Sequence, residues 1–475
     1  MRPVDLASRL NLLQLAIWTT LALWVVPARA HFLYDEAYFY HQAVEVARHG
    51  AFPVYGPPVS GTTPTAFTPG GAAYVVLAIP FLFGTDPRLG AAWLIVLSSL
   101  AVWCLDRALK GFGTDPASRV FTVAVLTWST WHVRVVDRIW NNHLLWPLSL
   151  FLLATTLLLM TRPAARSRGL MALFGVISAV LVQAHLQGAL AVAACGFLIL
   201  TAADGHRNLR RWLPAVAGCG VLYLPYAASE IVHRFQNTGW MHSAHAFAEW
   251  NLGAVARGVV APFWFQSLFP FTLIAPQPLQ AALSGTSTSH WVRVAVSFLA
   301  IGVSACCSFR RTPLRRFVLI CWLLIPVYFL VIQREYHDHY LYSLAPFFVM
   351  PLGLGLGTLF RRSQAFSVVS CVFLAVWIGV HTEHWVPEYL TGLHRPTLAS
   401  QLRRAEAAAK APSALQVQSG DPDVFIVWSL AKNRFKRDLL FYVVDLGRPC
   451  RIEIGPRRPN ARAPVVSWDS FFRCS

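Results

Sequence analysis

Lysine is nearly missing from this chain: Lys110, Lys410, Lys432 and Lys436 are the only four, although 40 residues are Lys or Arg. Acids are scarce too, 22 in 475 residues, with 14 of them inside residues 1–384. No Cys-x2-Cys pair occurs, which removes the usual structural zinc modules. There is neither an internal repeat nor a low-complexity tract. No basic run is interleaved with stacking aromatics, so the net charge of +18 does not point to nucleic acid. The arginines fall instead in short clusters between apolar runs, the way a membrane protein records its orientation.

What is plentiful is apolar. With 56% hydrophobic and 13% charged residues, the chain reads as an integral membrane protein. A helix rises about 1.5 Å per residue and the hydrocarbon core is roughly 30 Å thick, so some 17–25 apolar residues make one span. Candidate spans are 10–29, 88–106, 119–135, 142–160, 169–184, 186–203, 212–229, 291–309, 316–333, 340–360 and 366–383. Residues 169–203 hold no Asp, Glu, Lys or Arg, and at roughly 52 Å they exceed one crossing, so a break is expected at His185-Leu-Gln-Gly188. Pro69–Gly84 is short, and residues 258–289 carry Pro262, Pro270, Pro276 and Pro278, which do not fit one regular helix. Both pieces are expected at the interface, as juxtamembrane or re-entrant segments. Arg2, Arg9 and Ala28-Arg29-Ala30 imitate a signal peptide, but Leu10–Val26 is long for a signal core and reads as an uncleaved first helix.

Charge sets the orientation. With the N-terminus cytoplasmic and eleven spans, loops on the inner side hold 17 basic residues. The outer loops before residue 384 hold six: Arg48, Arg134, Arg138, Arg234, Arg257 and Arg334. The expected fold is therefore an all-α polytopic membrane protein of about 11 transmembrane helices, with residues 1–384 as the membrane domain. Residues 385–475 are expected to be a small extracytoplasmic α/β segment. In it Asp423–Trp428 reads as a buried strand, Ser429–Tyr442 has helical spacing, and short strands are expected near Arg451–Ile454 and Pro464–Ser467. Cys450 and Cys474, both in this segment, are expected to form a disulfide in an oxidising compartment.

In this topology the loops 30–87, 134–143 and 230–290, together with Arg334–His339, share the outer face. The first of them begins with His31-Phe-Leu-Tyr-Asp35-Glu36-Ala-Tyr-Phe39, two adjacent carboxylates in an aromatic collar just after the first span. In a chain so poor in acids, such a pair at fixed depth is a functional-site candidate. The plainer alternative is a solvated pair that ends a helix.

Further features follow in order. Thr68-Pro69-Gly70-Gly71 opens an apolar segment; next come Arg138-Ile-Trp-Asn-Asn-His143 and Gln183-Ala-His185-Leu-Gln. Leu224-Pro-Tyr226, Glu230 and His233-Arg234-Phe-Gln-Asn-Thr238 complete the set. Through about residue 360 this order resembles the GT-C glycosyltransferases, in the branch of protein O-mannosyltransferases and bacterial lipopolysaccharide sugar transferases. The resemblance implies a sugar donor linked to polyprenyl phosphate, a lipid, glycan or protein acceptor, and inverting transfer at the extracytoplasmic face of an inner or plasma membrane. It implies Asp35 as the base, with Glu36 supporting. For the donor phosphate the nominees are Arg138 and Arg234, then His233, because a guanidinium fork suits phosphate oxygens. His143, His185, His337 and His339 form a possible additional polar site.

No cofactor is assigned. Tyr336-His337-Asp338-His339-Tyr340 has a chelating His-x-His and an acid, but no ligand spacing elsewhere supports a divalent metal. Some relatives place a second acid before the Pro-Gly segment. Here no Asp or Glu lies between Glu45 and Asp86, and Thr68 stands in that neighbourhood. A secondary transporter and a polysaccharide ligase using another polyprenyl-linked donor are the alternatives. Against them stand the lack of matching halves and the early acid pair.

Overall fold

The computed structural model describes residues 6–29, 32, 34–59, 66–129, 131–132, 139–161, 167–202, 209–240, 303, 342–391, 398–410, 416–418, 426, 429–430, 433, 439–445 and 451–456. Helix α1 (Leu6–Arg29) is followed by α2 (Tyr34–His49), a hairpin of β1 (Tyr55–Pro58) and β2 (Phe67–Pro69), and the short α3 (Ala72–Ala78). Then come α4 (Arg88–Gly111), α5 (Pro116–Thr127), α6 (Leu145–Thr161), α7 (Arg168–Ala184), α8 (Gly188–Ala202) and α9 (Leu213–Val232). Beyond the next described stretch lie α10 (Ala345–Phe360), α11 (Gln364–Thr391) and α12 (Leu398–Lys410). An antiparallel sheet of β3 (Gln416–Gln418), β4 (Leu439–Asp445) and β5 (Arg451–Pro456), in the order β3-β5-β4, follows.

Nine of these helices fall on nine of the candidate spans, and 291–309 and 316–333 lie outside the described residues apart from Val303. Among the described residues, four stretches are long and apolar enough to cross a bilayer unaided: Leu6–Pro27, Arg88–Gly111, Asn141–Thr161 and Arg210–Val232. The break expected within 169–203 is present. His185 is extended at the end of α7, and the Gly188 N–H donates to the His185 carbonyl (2.8 Å) as α8 begins. Pro69–Gly84 holds only α3 and a four-residue 3-10 turn, Ile79–Leu82, too short together to cross.

Three expectations are corrected. The third span stops at Thr127 instead of reaching 135. There the Ser129 hydroxyl donates to the Leu126 carbonyl (2.9 Å) and accepts from the His132 N–H (3.2 Å), giving the backbone an alternative to the helical ladder. Ile426, expected in a strand, is helical, whereas Ser429 and Leu430 are helical as expected. Leu439–Tyr442, expected to complete a helix, belongs instead to the strand β4, with Val443 opposite Ile452 of β5. Short apolar runs do not separate the two periods, and the pairing with β5 decides this one. Pro464–Ser467, Cys450 and Cys474 lie outside the described residues.

Helix α6 is the centre of the bundle. Leu145, Trp146, Leu150, Leu152, Leu153 and Leu157 are fully shielded against α4, α7 and α8. Its buried Thr155 and Thr156 hydroxyls donate back to the carbonyls of Phe151 and Leu152, both at 2.8 Å. Elsewhere small residues bring backbones together, as membrane helices do without a hydrophobic drive between them. A Cβ at Gly353 or Gly357 of α10 would fall on the α5 backbone at Thr122 and Ser118. In contrast, α9 leaves Leu213, Val216, Val221, Leu224, Ile231 and Val232 exposed, an apolar surface suited to lipid.

The helices give the bundle two ends. At one, Asp106 of α4 is held by Arg119 of α5 through Nε and Nη2, each at 2.9 Å, and by the Asn11 amide of α1 at 2.8 Å. Arg119 also donates to Ser8 (2.8 Å). The opposite end carries α2, the hairpin, α3 and the last turns of α7 and α9.

Candidate functional site

The acid pair does not end α1; it lies in the first turn of α2, where negative charge complements the helix dipole. Glu36 is buried at 2% exposure, which overturns the solvated-pair alternative for that residue. The turn is fixed by its aromatic neighbours. Tyr40 donates to the Thr85 carbonyl (2.6 Å) and meets Phe32 edge-on at 5.8 Å. Phe39 stacks on Tyr74 of α3 at 5.7 Å, and the Tyr74 hydroxyl donates to that of Tyr38 (3.4 Å). Burial pushes the Tyr38 phenol above its ordinary range, so it stays protonated and neutral.

Next to α2, the hairpin turns into α3 at Gly70, whose φ of +86° suits glycine, and a Cβ there would collide with the Gln183 side chain. Gln183 fills that space for a reason. Its Oε1 accepts from the Ala72 N–H (2.8 Å), satisfying an orphan donor in the first turn of α3. Its Nε2 donates to the Leu222 carbonyl of α9 (3.1 Å). One amide thus ties α7, α3 and α9 together. One residue on, Asn141 donates to the Ala184 carbonyl (2.6 Å) and brings the 3-10 turn Asn141–Leu144 beside His185. His143 of that turn is buried between Trp140 and Tyr342, each ring 5.5 Å away.

The third element is the turn after α9. Arg234 and Phe235 are consecutive non-glycine residues with positive φ, 53° and 59°. Such a turn persists only when its surroundings over-determine it. They do: Phe235 N–H donates to the Glu230 carbonyl (2.7 Å), and the Thr238 N–H and Oγ1 donate to Glu230 Oε2 at 2.9 and 2.7 Å. Tyr55 of the hairpin reaches Glu230 Oε1 (3.5 Å) and shares a 2.9 Å bond with the Ser229 hydroxyl. Asn237 grips Phe67 twice, accepting from its N–H (2.7 Å) and donating to its carbonyl (2.9 Å).

The consequence for Arg234 is chemical. Its side chain is exposed, and its guanidinium has no hydrogen-bond or ion-pair partner among the described residues, while the neighbouring acid is turned inward to hold the turn. His233 is exposed beside it, its Nδ1 2.8 Å from the Ser229 carbonyl.

The structure thus gathers Asp35, Glu36, His143, His185, His233 and Arg234 onto one end of the bundle, on elements linked by direct bonds. Arg138, His337 and His339 lie outside the described residues. The sequence alone assigns no role to Glu230, Asn237, Gln183 or Tyr55. For Glu230 the signals are its place in the ordered motifs and its isolation as an acid in an apolar helix.

No family model and no curated protein matches this sequence. Among solved structures, the chain is similar to ArnT from Cupriavidus metallidurans bound to undecaprenyl phosphate: TM-score 0.50, 15% identity, 88% of this chain and 69% of that one. It is similar also to the archaeal oligosaccharyltransferase AglB from Archaeoglobus fulgidus, in complex with an inhibitory peptide and a dolichol-phosphate: TM-score 0.50, 11% identity, 88% of this chain and 59% of that one. At these identities the shared feature is the fold.

Proposed function

We propose that this chain is an inverting membrane glycosyltransferase that moves a sugar from a polyprenyl-phosphate donor to an acceptor at the extracytoplasmic face. The observation that carries the reading is the guanidinium of Arg234, exposed on a braced turn at the end of the bundle that also bears the acid pair. The fold supports it, as do the lipid phosphates bound to the two similar structures. Asp35 accepts the proton of the acceptor hydroxyl as the new bond forms at the anomeric carbon. The bond to the lipid phosphate breaks on the opposite face, and its electron pair stays on the phosphate oxygen. Arg234, with His233 and Arg138, stabilises the charge gathering there. Glu36, buried one residue along, orients α2 and its neighbour. Among the described residues no three His, Cys, Asp or Glu gather, and Tyr336–Tyr340, the one metal candidate in the sequence, lies outside them.

The test is transfer of labelled sugar from polyprenyl phosphate by the protein in nanodiscs. Asp35→Asn keeps the shape and removes the proton acceptor, so turnover falls by roughly 10²-fold or more with donor binding little changed. Glu36→Gln loses less. Full turnover in a folded Asp35→Asn protein refutes the mechanism. Label that crosses a sealed proteoliposome without being transferred makes the chain a transporter instead.

A further inference from the structure

Helix α2 is touched by a part of the chain almost 400 residues away. The Ser429 hydroxyl donates to the Ala37 carbonyl (3.1 Å), and the Asn433 amide lies 3.0 Å from His41 Nδ1. Arg48 closes the contact, donating through Nη2 to the Asn433 carbonyl (2.7 Å) and through Nη1 to its Oδ1 (3.3 Å). Asn433 also donates to the Ser429 carbonyl (2.8 Å). Ser429, Leu430 and Ile426 are shielded from solvent, and Asn433 is 2% exposed.

The pattern is that of one helical face laid along another. Ser429 and Asn433 are four residues apart, as are Ala37 and His41. At about 100° per residue, Ala37, His41 and Arg48 fall within roughly 40° of one stripe on α2. A 16-residue helix of mixed polarity is marginal alone, and its position depends on what packs against it. The aromatic contacts with α3 fix its first turn from one direction; Ser429 and Asn433 fix it from another. Ala37, the residue after Glu36, is where the second contact begins.

We propose that Ser429 and Asn433 of the C-terminal segment are the clamp that sets α2 in register, with Asn433 as a positioning residue for the Asp35-Glu36 pair. The inference rests on the reading of that pair as the reacting acids. Asn433 suits the task because its side chain does three things together: it donates to His41 and to the Ser429 carbonyl, and it accepts from Arg48. Aspartate keeps the last, loses the donor to the Ser429 carbonyl and meets His41 only when Nδ1 carries the proton; alanine keeps none.

The experiment uses the full chain with Asn433→Ala, Asn433→Asp and Ser429→Ala, read in two ways. The first is hydrogen exchange of residues 34–49, which needs no activity. Exchange there rises about tenfold in Asn433→Ala, less in Asn433→Asp and Ser429→Ala, while α6 stays protected. The second is the split of kcat from KM: kcat for sugar transfer falls about tenfold or more as the acids shift, with the donor KM unchanged. Unaltered exchange in α2 in all three variants overturns the clamp, whether or not the chain transfers sugar. Looser α2 with unaltered kcat overturns the positioning role. If the wild type transfers nothing, the enzymatic reading has failed and exchange still decides the contact. Should Asn433→Ala unfold the whole chain, Ser429→Ala, which removes a single bond to α2, decides the question in its place.

Discussion

Two buried carboxylates at opposite ends of the bundle are treated in opposite ways. Asp106 is paired with Arg119 at 2% exposure for both side chains, a bidentate contact reinforced by Asn11. Glu230, equally buried, accepts only neutral donors among the described residues: the Thr238 N–H and hydroxyl, and Tyr55. At the first end the two charges cancel and three helices are joined, an arrangement for holding. At the second the acid shapes a turn and leaves the nearby arginine without a counter-ion among the described residues, an arrangement that fits the phosphate-binding role proposed for Arg234.

Breaking the closed pair is expected to have the largest effect. Arg119→Met strands a buried carboxylate and lowers stability by about 3–5 kcal/mol, read as loss of folded protein and of the thermal midpoint. Asp106→Leu with Arg119→Met restores most of it, since apolar replacements often match a buried pair. Whatever protein folds keeps its donor affinity; a loss of donor binding here would merge the two ends into one functional unit.

Arg234→Ala comes next, and it reverses the pattern. Stability stays within about 0.5 kcal/mol of wild type, because the side chain is exposed and makes no described bond. Affinity for the polyprenyl-phosphate donor drops about tenfold, the scale of one charged hydrogen bond, and depends less on salt. Titration of donor binding at two ionic strengths checks this, and unchanged affinity removes Arg234 from the phosphate site.

Glu230→Gln sharpens the comparison with the smallest effect. An amide preserves one acceptor but weakens the grip on Thr238, and donor affinity falls by about threefold. In a double-mutant cycle with Arg234→Ala the losses are not additive, because the acid acts through the turn. Strict additivity would separate the brace from the arginine it serves.

The frame of the molecule is legible in the sequence because a bilayer is a demanding solvent. The break at His185–Gly188 follows from 35 residues without a charge and a fixed membrane thickness. The short α3 follows from the length of Pro69–Gly84. Asp35 and Glu36 stand out because acids are rare, yet nothing in Tyr34–His49 marks it as a helix clamped from both ends of the chain. That knowledge needs Asn433, 392 residues from His41. Ile426 reads as strand and Leu439–Tyr442 as helix because a short apolar run carries both periods and its partner lies elsewhere. Gln183, Glu230 and Asn237 lie in motifs the sequence displays, but their roles are unreadable for the same reason: each is an ordinary polar residue until the backbone it caps is in place.

The hairpin beside the site has one more consequence. An open strand edge is an invitation for an extended chain to add itself, the way many peptide-binding proteins capture their ligands. At β2 that invitation is withdrawn, because the Asn237 side chain already mimics a neighbouring strand at both the N–H and the carbonyl of Phe67. For an extended backbone, then, Phe67 offers no ladder to join, because this edge is already spent within the chain itself.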